Sequence, residues 1–110
     1  MTSEEQEKHL ASFINKMAHL LIKKGNDYAN EDKLSNFKKV AIVCGLSEEQ
    51  VILVMLATKI VRLSNLIGRD VVVMNEPISD TTVDLSNYSA LLSMMIAENK
   101  KNNIKTMCHE

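Results

Sequence analysis

SEEQVILVMLATKIVRLSNLIG, residues 47–68, is the stretch on which the fold turns. Ser47 and Gln50, three residues apart, form a capping-box pattern that opens a helix. From Val51 to Ala57 the residues are apolar on every side, so this half is expected to be the most buried element. The second half turns polar on one face and places Lys59 and Arg62 three residues apart, ahead of a stop at Gly68.

Outward from that helix, the flanking sequence predicts three more. Upstream, residues 32–44 carry Leu34, Phe37, Val40, Ala41 and Cys44 on one face and stop at Gly45, with Cys44 read as a small core residue. Residues 3–24 show Leu10, Phe13, Ile14, Met17, Leu20 and Leu21 at three-and-four spacing. Ser3 with Gln6 is the expected cap, and Gly25 the expected left-handed stop. Lys24 falls inside the apolar stripe and Lys16 and Lys23 at its margin, so each either snorkels to water or meets an anion.

Downstream, the connection at residues 69–77 holds Val71-Val72-Val73-Met74, a candidate extended segment that packs either as a loop or against a second copy. A fourth helix begins at Ser79 after Pro77 and runs to about Glu98. Leu85, Leu91, Leu92, Met95 and Ile96 give it a buried side, with Met94 and Met95 as core filler. The expected architecture is all-α, a four-helix bundle-like domain over residues 1–98 followed by a frayed polar tail at 99–110.

Composition excludes several function classes. The 110 residues carry 13 Lys+Arg against 14 Asp+Glu, a net charge of -1 that argues against a duplex-nucleic-acid binder. Four aromatics and no Trp make a base-stacking platform for single strands a poor expectation. No apolar run is long enough to cross a bilayer, and the acidic opening MTSEEQEKHL is unlike a secretory signal. A cytoplasmic location without membrane contact is the default. Cys44 and Cys108 make no metal or redox spacing, and His9, His19 and His109 pair with no nucleophile. Three scattered glycines build no phosphate-cradling loop.

The polar register of the fourth helix is the unusual feature. Glu76, Asp80, Asp84 and Tyr88 are spaced by four, about 6 Å per step along one face. Carboxylates one turn apart repel, so a cation is expected opposite: a divalent metal, or Lys59 and Arg62 on the antiparallel third helix. A salt-bridge lattice is the plain account of this set. The functional account is a polar cleft for a phosphorylated ligand, since Arg presents a fork suited to phosphate and Lys a point charge.

The ordered set Lys24-Gly25-Asn26-Asp27-Tyr28, Asn36-Phe37, Lys59-x-x-Arg62 and Glu76-x3-Asp80-x3-Asp84-Leu85-x-Asn87-Tyr88 resembles the nucleotide-modification-associated domain family. Its members are small helical proteins of phages and their hosts, and the resemblance covers about residues 10 to 97. The Glu-x3-Asp-x3-Asp element also looks like half of the acidic site of all-α nucleoside-triphosphate pyrophosphatases. Those enzymes hold Mg²⁺ between two acidic helices, whereas here the middle helix offers Lys59 and Arg62 and no carboxylate. Glu48 and Glu49 lie at its start and belong to the cap. That departure favours binding over turnover, because phosphoryl hydrolysis needs metal to neutralise developing charge.

The resulting expectation is a nucleotide-like phosphorylated ligand held, without turnover, by a homo-oligomer. Lys59 and Arg62 take the phosphates, Asp80 and Asp84 take ribose hydroxyls or one Mg²⁺, and Tyr28 takes the base; Lys24, Asp27 and Tyr88 complete the site. No catalytic residue is assigned. If the chain is phage-encoded, as the resemblance implies, one use is sequestering a nucleotide signal of host immunity. A Mg²⁺-dependent pyrophosphatase or modified-nucleotide enzyme, and an interaction bundle without a small ligand, are the alternatives.

Overall fold

The computed structural model describes the backbone of residues 1–27, 32–68 and 78–109, and side chains except at 25–27 and 107–109. It is all-α, with four helices among the described residues: α1 (Ser3–Asp27), α2 (Ser35–Cys44), α3 (Glu48–Leu66) and α4 (Ile78–His109). The Val71–Met74 segment and Glu76 lie outside the described residues.

Local chemistry sets most boundaries. Ser47 Oγ accepts the Gln50 N–H at 3.1 Å while Gln50 Oε1 accepts the Ser47 N–H at 2.8 Å, the expected capping box of α3. Gly45 closes α2 at φ 67°, and the next amide, of Leu46, reaches back to the Ala41 carbonyl at 3.1 Å.

Other boundaries differ from expectation. The α1 cap is Thr2 rather than Ser3: Thr2 Oγ1 accepts the Glu5 N–H and Glu5 Oε2 accepts the Thr2 N–H. A carboxylate in this role also suits the helix dipole. Gly25 does not stop α1, which continues to Asp27; an interior glycine costs a helix only about 1 kcal/mol relative to alanine. Helix α2 starts at Ser35 rather than Asp32. The Asp32 carboxylate accepts the Leu34 N–H at 3.0 Å and its carbonyl the Ser35 N–H, a turn that competes with helix.

Helix α4 is the spine, with α3 packed along it and α1 against another side, while α2 packs on α3. Two cross-links show that α3 and α4 run antiparallel: Glu49 near the start of α3 meets Asn99, and Lys59 further along meets Asp84. The core is built from Leu34 of the α2 entry, Ile52 of α3 and Met95 of α4, with Phe37, Leu91 and Leu92 against it.

The expected frayed tail is helical: α4 runs on to His109. The Asn99 amide donates to Glu49 at 2.5 Å, which anchors the helix past Glu98, and no Gly or Pro follows to end it. Burial also departs from expectation. The first half of α3 is not uniformly buried, because Val51 and Ile52 are enclosed but Leu53 and Val54 are more than half exposed. Cys44 is exposed rather than in the core, as are Met94 and Ile96. On α1, Leu10 and Ile14 stay exposed while Met17, Leu20 and Leu21 are half-buried, so only the later part of its stripe is covered.

Candidate functional site

A cleft of about 980 Å³ opens where the end of α1, the α2 entry and α4 converge. Leu21, Ile22 and Lys24 line it from α1, and Met55 reaches it from α3. Leu34, Asn36, Phe37 and Val40 form the α2 wall, next to Asp32 and Lys33 of the preceding turn. The α4 wall is a stripe at three-and-four spacing: Asp84, Asn87, Tyr88, Leu91, Met94 and Glu98.

Three of the sequence-predicted residues are brought together here: Lys24, Asp84 and Tyr88. Lys59 stands beside them rather than in the lining, with its Nζ 3.0 Å from Asp84 Oδ2. Both partners are largely buried, as the antiparallel pairing of α3 and α4 requires. Arg62, one turn on, is exposed and outside the described lining.

Asp80 turns elsewhere. Its Oδ1 accepts from Lys16 Nζ at 2.7 Å, so its cation comes from α1 and not from α3. The Asp27 side chain and all of Tyr28 lie outside the described residues. Among those described, no group of three or more His, Cys, Asp or Glu is arranged to hold a metal ion. Asp80 and Asp84, expected to take ribose hydroxyls or one Mg²⁺, each hold a lysine ammonium instead.

The far end of the cleft is tied by Lys38. Its Nζ lies 2.7 Å from Asp32 Oδ2 and 3.1 Å from Glu98 Oε2, joining the α2 entry to α4. The Lys38 hydrogen bond, then the Leu34 amide, hold the Asp32 carboxyl below its ordinary range. The same bond from Asp32, aided by Glu98, raises the Lys38 ammonium above its own. Lys24, by contrast, is exposed and has no carboxylate partner among the described residues.

Sequence reasoning quoted Asn87 in the motif of the resemblance but gave it no role in the site. It is 6% exposed and lines the cleft, yet its Oδ1 has no hydrogen-bond partner among the described residues. A buried polar atom left in this state costs about 1–3 kcal/mol. The missed signal was the three-residue step from Asp84: following only the four-residue register leads from Asp84 to Tyr88 and skips Asn87, which stands three residues after Asp84 and four before Leu91.

The chain matches no family model, no curated protein and no solved structure. The site's chemistry therefore rests on its own geometry. The cleft combines an apolar floor, an enclosed carboxamide, lysine-paired carboxylates and an exposed lysine.

Proposed function

We propose that this protein binds a nucleotide-like phosphorylated small molecule in the cleft without turning it over, and that it does so as a homo-oligomer. The observation that carries the reading is the cleft itself. Its volume lies at the upper end of the roughly 300–1,000 Å³ of small-molecule sites, and it joins an apolar floor at Phe37 and Leu91 to a lysine with no carboxylate partner among the described residues. Lys24 takes the phosphate role expected of Lys59 and Arg62, since the Lys59 ammonium is committed to Asp84 and Arg62 stands outside the cleft lining.

Binding without turnover is supported by the state of Asp80 and Asp84, the two carboxylates of the α4 register, each of which holds a lysine ammonium. Retention of an intact nucleotide is what a sequestering protein requires, and capture of a nucleotide signal is the use that fits.

Association of copies is supported by shape and by α3. The radius of gyration is 17.1 Å, against about 13 Å for a compact chain of 100 residues. On the side of α3 away from α4, Leu53, Val54, Ile60 and Val61 are each half or more exposed, with no charge between them. Positions 54, 57 and 61 repeat as a seam that a second α3 fits. No single described helix is long and apolar enough to cross a membrane.

A thermal-shift screen against mono-, di-, tri- and cyclic nucleotides, with and without Mg²⁺, tests the binding. A ligand at a hundred times its dissociation constant adds about 2.7 kcal/mol, several degrees for this chain. The expected result is a hit that Lys24→Glu abolishes and whose ligand is recovered intact. Cleaved ligand moves the protein to the enzymes, and silence across the panel leaves an interaction bundle. Light scattering tests the assembly: the wild type should exceed 12.4 kDa, and Val54→Glu with Val61→Glu should reduce it to that mass.

A further inference from the structure

Two helical arms overhang the body at opposite ends. The ion pair of Lys16 with Asp80, and Lys24 beside Asp84 and Tyr88 in the cleft, show that α1 runs parallel to α4. Residues 3–12 of α1 therefore reach past the start of α4 at Ile78, and all of them are exposed. At the other end α4 runs past the Glu49–Asn99 link at the start of α3, and residues 100–106 are all exposed. The long axis of 56 Å accordingly exceeds the length of α4 itself, about 48 Å.

The arms carry opposite charge. Residues 3–12 hold Glu4, Glu5 and Glu7 against Lys8, and residues 99–106 hold Lys100, Lys101 and Lys105 with no carboxylate. Compensation of the helix dipole accounts for Glu4 and Glu5 in the first turn of α1, but that effect fades within one turn. Glu7 lies beyond its reach, as do Lys100 and Lys101, two turns short of the end of α4. Glu4 is paired with Lys8 and Glu5 caps Thr2, whereas Glu7 and the three lysines form no ion pair among the described residues. Lys101 and Lys105 also stand one turn apart on one face, where like charges repel.

The outer seam of α3 fixes where a second copy puts these arms. Lys59 with Asp84 and Glu49 with Asn99 set Ala57, the middle of the seam, level with Asn87 of α4. Lys16 with Asp80 sets the same level near Lys23 of α1. From that level Glu7 and Asn103 lie equally far, about 24 Å, in opposite directions. A two-fold axis through Ala57 thus brings the acidic arm of one copy level with the basic arm of the other, at both ends. A parallel pairing would bring acid to acid and base to base.

We infer that the partner of the α3 seam is a second copy of this chain lying antiparallel, its direction selected by the α1 and α4 arms. The inference rests on the association proposed above and adds the direction of pairing and the residues that set it. Such a pair is closed, since each arm meets its complement once.

Sedimentation equilibrium of the full chain at low salt tests it. Two single reversals are compared with their combination: Glu4→Lys with Glu7→Lys in α1, which keeps the Thr2–Glu5 cap, and Lys100→Glu, Lys101→Glu and Lys105→Glu in α4. Wild type should reach twice 12.4 kDa. Each single reversal should weaken its dimer at least about tenfold, and the chain with both reversals should recover the wild-type constant, because attraction of the arms is restored with its signs exchanged. Unchanged or tighter dimers in the single reversals overturn the antiparallel arrangement while association at α3 stands. A mass that keeps rising with concentration overturns the closed pair, and a wild type that stays at 12.4 kDa overturns both readings. Should a reversed chain lose its helical circular dichroism, salt dependence of the wild type decides. Added salt should weaken the dimer if exposed arm charges select it, and an insensitive dimer overturns the inference.

Discussion

The two faces of α3 are close to equal in hydrophobicity and opposite in fate. The inner face carries Val51, Ile52, Met55, Lys59 and Leu66 against α4 and α2, and it includes a lysine. The outer face carries Leu53, Val54, Ala57, Ile60 and Val61, without a charge, and faces solvent in the single chain. Charge is therefore no guide to the buried side here. Lys59 goes inward because Asp84 stands 3.0 Å from it, and the pair neutralise each other where water is scarce. The outer residues have no such partner among the described residues, and they form the face on which the proposed association of copies rests.

The largest expected effect breaks the inner face. Ile52 is fully enclosed in the Leu34–Met95 cluster, so Ile52→Ala should cost about 2–5 kcal/mol in urea unfolding. Val54→Ala, two residues on but outward, should change the stability of the dissociated chain by no more than about 0.5 kcal/mol. Equal losses at the two positions would erase the distinction between the faces.

The inward lysine gives the next test. Lys59→Met leaves Asp84 enclosed without its cation, and Asp84→Asn does the converse; each should cost about 1–3 kcal/mol. Combining Lys59→Met with Asp84→Leu should recover most of that loss, read as a coupling energy in a double-mutant cycle. Additive losses would mean that the pair does not act as a unit. Smaller again is the cap: Ser47→Ala should cost about 1 kcal/mol by removing the acceptor for the Gln50 amide.

The smallest effect is in pH and separates the α2 entry from the start of α3. Asp32, held low by Lys38, and Glu49, held low by the Asn99 amide, both have depressed folded values. Their contribution is present above the unfolded carboxylate values near pH 4 and is lost as pH falls through the lower folded values. Lys38 is raised, so its contribution is present below its unfolded value and is lost as pH rises through the folded one. Because Asp32 is well exposed, its part is under about 1 kcal/mol. Asp32→Asn should flatten the acid limb of the stability profile, leaving the Glu49 share.

Much of the fold was legible because it is written locally. The α3 capping box, the Gly45 stop and the existence of each helix depend on residues within one turn of one another. The meeting of Lys59 with Asp84 was legible too, since a short connection makes α3 and α4 antiparallel and sets their levels. Asp80 was not: its partner Lys16 lies 64 residues away on α1, and nothing in the spacing sets how α1 leans on α4. Asn87 was given no role in the site because an asparagine between Ser86 and Tyr88 carries no mark of burial in the sequence. The length of α4 was misjudged for a related reason: a polar run looks like a tail until Asn99 finds Glu49.

By itself, then, the sequence determined an all-α chain, the α3 cap and the α2 stop, and a carboxylate register on α4. These follow from hydrogen bonds and periodicities that span at most a few residues. Only the tertiary structure decided which apolar face of α3 is core, which lysine answers which aspartate, and that Asn87 is enclosed in a cleft. Burial is a property of several helices at once. Where both faces of a helix are equally apolar, only the neighbours' packing selects between them.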